Sequence, residues 1–461
     1  MFDLKKKKES DLGKISSFII TADKKKMYVK KSGKYAVISL PKAPVKIKDN
    51  IDISNMKVWV DYEKEWTQIF NEAWRQMRDF FYAPNMHGLN WKSIKEKYSP
   101  LLPYVNNRND LNYIIGEMVG ELSVGHAYIS GGDKLKPERI KTGLLGAELS
   151  KDKSGYFKIE KILKGENWTK NTRSPFTEVG VDVNEGDFII SVNGVSTKGM
   201  KDIYAALVGT AGKQIEFTIN DKASEKEANN VIIVPISDES NLYYFNWVRE
   251  NIRKVNEATN GQVGYIHIPD MGPGGLNEFV KYFYPQLSKK ALIIDDRGNG
   301  GGNVSPMIIE RLNRELALYG MARNTGINTK PAQMLVGPKV LLLDSYSASD
   351  GDLFPYQFKK LGIGKTIGVR SWGGVVGIRG SLPFIDGGDL RKPEFAPFGV
   401  NGEGWVIEGH GVDPDIVIDN DPAKEFAGED QQLNKAIEVI LKEVKKMKDA
   451  PVIPAFPDKT K

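Results

Sequence analysis

Two stretches of the sequence carry residues of the type and spacing that acyl-transfer chemistry needs. KALIIDDRGNGGGN runs from Lys290 to Asn303, and KVLLLDSYSASDGD from Lys339 to Asp352. Each is a short apolar run that breaks into glycines or small polar residues and then opens into helix-forming sequence, the pattern of a strand-to-helix turn in an α/β sheet. Such turns lie at strand carboxyl ends, where ligands bind. Gly298, Gly300, Gly301 and Gly302 let backbone N–H groups converge, and Ser349 stands in the second turn near the small residues Ala348 and Gly351. A glycine loop beside a serine turn predicts an oxyanion hole next to a nucleophile.

A serine nucleophile needs a base within hydrogen-bond reach and a group that orients the base. The chain has 4 histidines. His87 sits in the loop APNMHGLN and reads as a surface residue. His267 alternates within YIHIP as a half-buried strand residue. His126 follows SVG at a helix end, and His410 stands in the glycine turn EGHGVDP. Spacing leaves both His126 and His410 open as the base. Glu408 is the acidic neighbour able to orient one of them.

Composition narrows the alternatives. With 461 residues, 40% hydrophobic and 27% charged, the chain reads as globular with two or three domains. A net charge of +6 spread along the sequence, with one run at Lys5 to Lys8, is not the clustered footprint of a nucleic-acid binder. Zero cysteines exclude disulfides, thiolate zinc sites and a cysteine nucleophile, and four histidines argue against a His-rich metal site. No apolar stretch is long enough to span a bilayer, and MFDLKKKKES lacks the apolar core of a signal peptide. The expectation is a cytoplasmic protein needing no metal or cofactor, with no nucleic-acid or membrane partner.

The elements that must position these residues follow in chain order. Residues 1–55 alternate as strands in KISSFIITAD and MYVKKSGKYAVISL, too few to bury a core alone. They read as the end of a β structure begun before Met1, in which case any signal peptide would have been lost with the missing part. Residues 56–135 turn helical: WVDYEKEWTQIFNEAWRQMRDFFY spaces Trp59, Trp66, Ile69, Phe70, Trp74, Met77 and Phe81 three and four apart as a core-facing stripe, and Asp110 is placed to cap a later helix. Residues 136–237 give short strands, a DFIISVNG hairpin and a helix at MKDIYAALV. Residues 238–447 alternate strand and helix, with KTIGVRSWGGVVGIRG as a strand pair and an amphipathic helix over AKEFAGEDQQLNKAIEVILKEVKKM. The Pro-rich segment 448–461 is expected to be disordered.

The landmarks GLLGAEL and VNEGDFIISVNG give residues 136–237 the look of a PDZ domain, a module that adds an extended peptide to a sheet edge. Over residues 58–447 the chain resembles the C-terminal half of the tricorn core family of serine peptidases. The motifs that carry the resemblance are GELSVGHAY, NGGGN with VSPMIIERLN, SASDGDLFPYQFKKLGIGKTIGVRSWGGVVGI, KPEFA and EGHGVDPD. It implies a helical subdomain, a PDZ-like β domain and an α/β domain of ClpP/crotonase-like type, preceded at 1–55 by remnant β-propeller strands.

The resemblance also implies roles. Ser349 would be the nucleophile, His126 the base, Glu408 the acidic member, and the N–H groups of Gly302 and Asp350 the oxyanion hole. It further implies a peptide or unfolded-protein substrate and a homo-hexamer. Two departures stand out. Gly125 occupies the place of a family serine that links base to glutamate, so either water or another hydroxyl such as Ser123 or Tyr128 makes that link, or the base is oriented less firmly. Gly320 aligns where the family carries an aspartate selecting basic residues, with Arg323 nearby, so preference for Lys or Arg does not carry over. Two rivals remain. One is a C-terminal processing peptidase with a Ser-Lys dyad, although SWGGVVGIRG holds no lysine and Lys365 is the nearest. The other is a non-catalytic PDZ peptide-binding protein.

Overall fold

The computed structural model describes residues 1–447 and 451–460. The chain divides into two compact units, residues 1–65 and 66–461. In the first, the strands Ser17–Ile20, Lys26–Lys31 and Lys34–Ser39 form an antiparallel meander. Its small core is Met27, Val29, Ala36 and Val45, and Phe18, Ile19 and Ile20 are left exposed.

The second unit is organised on a five-stranded parallel sheet in sequential order: Val263–His267, Ala291–Asp295, Lys339–Leu343, Gly364–Gly368 and Ile416–Val417. The first three strands are buried on both faces, as expected for a parallel sheet covered by helices. Leu292, Ile294 and Leu341 pack with Phe279, Ile308, Phe354 and Phe358 on one side. Ala291, Ile293, Val340 and Leu342 pack with Val255, Leu433, Ala436 and Ile440 on the other.

The helical layer is Tyr62–Phe80, Trp91–Tyr98 and Arg108–Gly120. Ile69, Phe70 and Met77 of the expected stripe are buried, whereas Trp59 precedes the helix and is exposed. Asn107, not Asp110, caps the third helix; Asp110 closes the capping box from the third helical position. The core of this layer includes Phe384 and Leu390 from the C-terminal part of the chain. The strand Tyr128–Ser130 pairs with Asp389–Phe395, and Arg108 forms a buried ion pair with Asp386 at 2.5 Å.

Between these layers in sequence lies a six-stranded antiparallel sheet with its own core around Ile159, Ile189, Phe217 and Ile233. Its edge strands are Ala147–Lys151 and Asn229–Ile233, and the helix expected over MKDIYAALV is a single 3-10 stretch, Ile203–Leu207. Two further expectations are corrected. Gly364–Gly368 and Gly377–Arg379 are not a strand pair: the first joins the parallel sheet and the second pairs antiparallel with Asp389–Phe395. The closing amphipathic run is two helices, Pro422–Phe426 and Gln431–Val444, because Asp430 caps the second. Of the expected tail, residues 448–450 and 461 lie outside the described residues, and 451–460 form neither helix nor strand.

Candidate active site

Parallel pairing places Asp295 beside Leu342, so the glycine turn and the serine turn emerge side by side from neighbouring strands. Four hydrogen bonds join them. Gly298 N–H donates to Asp344 Oδ1 at 2.9 Å, Ala348 N–H to the Asn299 carbonyl at 2.9 Å, and the Ser347 hydroxyl to the Asp296 carbonyl at 2.9 Å. Asp296 N–H adds a bond to the Leu342 carbonyl at 2.9 Å. The Asn299 side chain, fully buried, accepts Gly301 N–H at 2.9 Å and donates to the Ile268 carbonyl and to Asp296 Oδ1. Burial pushes the Asp296 carboxyl well above the usual range, with the Asp295 and Asp344 charges adding to it, while hydrogen bonds from Ser347 and Asn299 oppose the rise.

The glycines here are required by close approach. A Cβ on Gly301 would lie 2.6 Å from the Ser349 Cβ, and one on Gly302, where φ is +152°, would lie 2.0 Å from the Met271 carbonyl oxygen. Ser349 itself has φ 59° and ψ −118°, a strained conformation for a side-chain-bearing residue. Its N–H donates to Asp352 Oδ2 at 2.8 Å, and its carbonyl accepts Asp352 N–H at 2.9 Å. Asp350 begins the helix Asp350–Lys360 and accepts Ser305 N–H and Oγ–H on its carboxylate. Among the described residues, the N–H groups of Gly302 and Asp350 donate to no protein acceptor.

His126 lies beyond the helix, not at its end. The helix stops at Gly120, and Ser123 turns the chain with φ 48° before the strand Tyr128–Ser130. The His126 Nδ1 lies 3.1 Å from the Val376 carbonyl oxygen, which can only accept. Nδ1 therefore carries the proton and Nε2 keeps its lone pair. Burial lowers the His126 pKa below its ordinary 6.5 and outweighs the Val376 carbonyl and the Glu408 charge, which raise it. The rings of Tyr128 and Trp372 meet it edge-on.

Glu408 follows Ile407, whose φ of 45° is rare for a β-branched residue. Its carboxylate accepts Gly125 N–H at 3.1 Å on one oxygen, and Val375 and Val376 N–H at 2.7 and 2.9 Å on the other. One residue thus lies between Glu408 and His126: the Val376 N–H donates to the glutamate and the Val376 carbonyl accepts from the histidine. The link expected of a Ser123 or Tyr128 hydroxyl is made by backbone. The same loop is tied to the nucleophile turn, since buried Asp352 also accepts Gly373 N–H at 2.8 Å and Gly374 N–H at 3.3 Å.

Comparison with known proteins gives three consecutive domain matches: the tricorn protease C1 domain over residues 62–120, the tricorn protease PDZ domain over 143–238, and peptidase family S41 over 262–418. A tricorn protease of Thermoplasma volcanium is 36% identical across 97% of this chain and 43% of its own length. A tricorn protease homolog of Saccharolobus solfataricus is 36% identical across 96% of this chain and 42% of its own. A crystal structure of the tricorn protease superposes with a TM-score of 0.88 at 32% identity, over 96% of this chain and 43% of that one. Across nearly its whole length the chain is similar to part of the tricorn proteases. It spans about half the length, or less, of the curated relatives it matches.

Within the tricorn frame, Ser349 and Glu408 fall inside the S41 match, whereas His126 lies between the C1 and PDZ matches. Other sequence candidates lie apart from the cluster. His410 is exposed, with its ring on the Gly411 carbonyl and Asp413. His267 is fully rather than half-buried, bonded to Tyr244 and the Arg297 carbonyl. His87 joins Tyr82 and the Leu122 carbonyl. Gly320 sits in the hairpin of Leu318–Ala322 with Gly326–Lys330, and Arg323 in its exposed turn. Tyr319, Gly320 and Met321 line a cavity of about 270 Å³ with Pro451 to Pro454. Lys365 is exposed on the strand Gly364–Gly368. Among the described residues no group of acidic or histidine side chains is arranged to hold a metal ion.

Sequence reading missed Asn299, Asp352 and Val376. Asp352 had a signal, the S-x-x-D spacing from Ser349 that marks a capping box. Val376 had none, since it acts through its backbone.

Proposed function

We propose that the chain is a serine peptidase that hydrolyses peptides or oligopeptides through an acyl-enzyme. The observation that carries this is the hydrogen-bonded path from Ser349 through Asp352 and Gly373 to Val376, which holds both His126 and Glu408. Ser349 Oγ attacks the scissile carbonyl carbon while His126 Nε2 takes its proton. The oxyanion accepts N–H from Gly302 and Asp350. The C–N bond then breaks as His126 returns the proton to the leaving amine. Water, deprotonated by His126, attacks the acyl carbon and releases Ser349. Glu408 supports the imidazolium by its charge and by holding Val376, whose carbonyl orients the ring.

Finer readings belong with this proposal. Residues 1–55 are taken as a β-propeller remnant, supported by the three-stranded meander with exposed Phe18, Ile19 and Ile20. The boundaries 56–135, 136–237 and 238–447 are kept as helical, PDZ-like and ClpP/crotonase-like catalytic domains, with a homo-hexamer and a cytoplasmic setting as the family resemblance implies. Gly320 and Arg323 are kept as specificity positions.

Digestion of an unbiased peptide library, read by mass spectrometry, tests the activity. Ser349→Ala should keep the thermal unfolding midpoint and lose hydrolysis by roughly a million-fold; undiminished cleavage sinks the assignment. Labelling by a serine-reactive phosphonate should vanish in His126→Ala and persist in Lys365→Ala. The reverse pattern favours a Ser-Lys dyad.

A further inference from the structure

The loop that opens the PDZ unit is occupied by this chain's own groups. In that fold a peptide strand adds to the free sheet edge, and a terminal carboxylate is captured by converging backbone N–H groups. One edge strand of this sheet is Ala147–Lys151, the other Asn229–Ile233, and the N–H groups just before the first belong to Gly143 to Gly146. Gly143 N–H donates to the Leu207 carbonyl at 2.8 Å, and Leu144 N–H to the Ile236 carbonyl at 2.7 Å. Gly146 N–H donates to Glu239 Oε2 at 3.1 Å. Glu239 is the residue before the helix Ser240–Ala258, whose Leu242 covers Gly146 so closely that a Cβ there would lie 2.9 Å from it. The Glu239 charge is also felt by Tyr204, on the 3-10 stretch Ile203–Leu207.

We infer that Glu239 is a built-in occupant of the carboxylate loop, so that an extended peptide with a free terminal carboxylate enters only by displacing it. One N–H holds this side chain. Burial, with Asp238 and Glu148 adding to it, raises the Glu239 carboxyl above its ordinary value, so the charged form is disfavoured where it sits. An occupant held this weakly is exchangeable for a peptide carboxylate that also brings strand hydrogen bonds. The inference rests on the PDZ unit and not on the peptidase reading.

The test uses the full chain carrying Ser349→Ala, which removes hydrolysis, and fluorescein-labelled hexapeptide pools ending in valine as the free acid or the amide. Fluorescence anisotropy should show the two pools binding within about twofold of each other while Glu239 is present. Adding Glu239→Ala should give the acid pool a preference of roughly tenfold, the worth of one charge-assisted hydrogen bond. Glu239→Gln, which keeps an acceptor for Gly146, should not. Should Glu239→Ala unfold, Glu239→Asp, one methylene short of the loop, decides the matter in its place. A marked acid preference with Glu239 intact, or none after its removal, overturns the inference.

Discussion

Ser349 is held by groups from two neighbouring strand ends, whereas His126 and Gly125 are held by residues 250 and 283 positions away in sequence. The nucleophile turn inherits its geometry from sheet register. Once Asp295 pairs with Leu342, the glycine turn and the serine turn are adjacent, and their backbone groups bond to each other. The base segment has no such register. Its position depends on the helical layer docking through Phe384, Leu390 and the strand Asp389–Phe395. The difference teaches that one half of the site is a property of the sheet and the other a property of the assembly. The loop 373–376 joins them.

Breaking that joint should have the largest effect. Asp352→Ala removes the acceptor for three backbone N–H groups, from Ser349, Gly373 and Gly374. We expect kcat to fall by roughly a hundredfold or more from misplacement of the two halves. Stability should drop by about 2–4 kcal/mol from the unpaired donors. Both are measured by steady-state kinetics and chemical denaturation. An intact kcat would show that the halves hold their positions without it.

A smaller effect tests the base half alone. Because the His126 pKa is lowered, its neutral, proton-accepting form persists below pH 6.5, and the acid limb of kcat/KM should have its midpoint below that value. The linked stability is full above pH 6.5 and is lost as pH falls, since charging the buried ring opposes folding. The Glu408 charge raises the His126 pKa, so Glu408→Gln should move the limb further down and cost roughly tenfold to a hundredfold in kcat. A limb that moves up instead would detach Glu408 from the base.

The smallest expected change sharpens the comparison by strengthening the weaker half. A Cβ on Gly125 would meet Glu408 Oε1 at 3.7 Å and the Gly374 Cα at 3.8 Å, ordinary contacts, so a serine fits. Gly125→Ser adds a hydroxyl beside a carboxylate that so far receives backbone donors, and should raise kcat by up to about tenfold. A fall would mean that the Val376 carbonyl already provides all the orientation His126 needs.

By itself the sequence pointed to two strand ends, one turning through glycines and one through SASDGD. Apolar runs that break this way read as strand-to-helix turns of an α/β sheet, because hydrophobic periodicity and turn chemistry are local properties. The histidine stayed ambiguous between His126 and His410 until family resemblance intervened, since spacing along a chain says nothing about which distant loop folds back. Only the tertiary structure decided that His410 faces Asp413, that His126 meets the Val376 carbonyl, and that Glu408 holds the same residue by its N–H. Backbone N–H and C=O groups are the same at every residue. Their use at a site is invisible in sequence and is set by where packing brings the chain together.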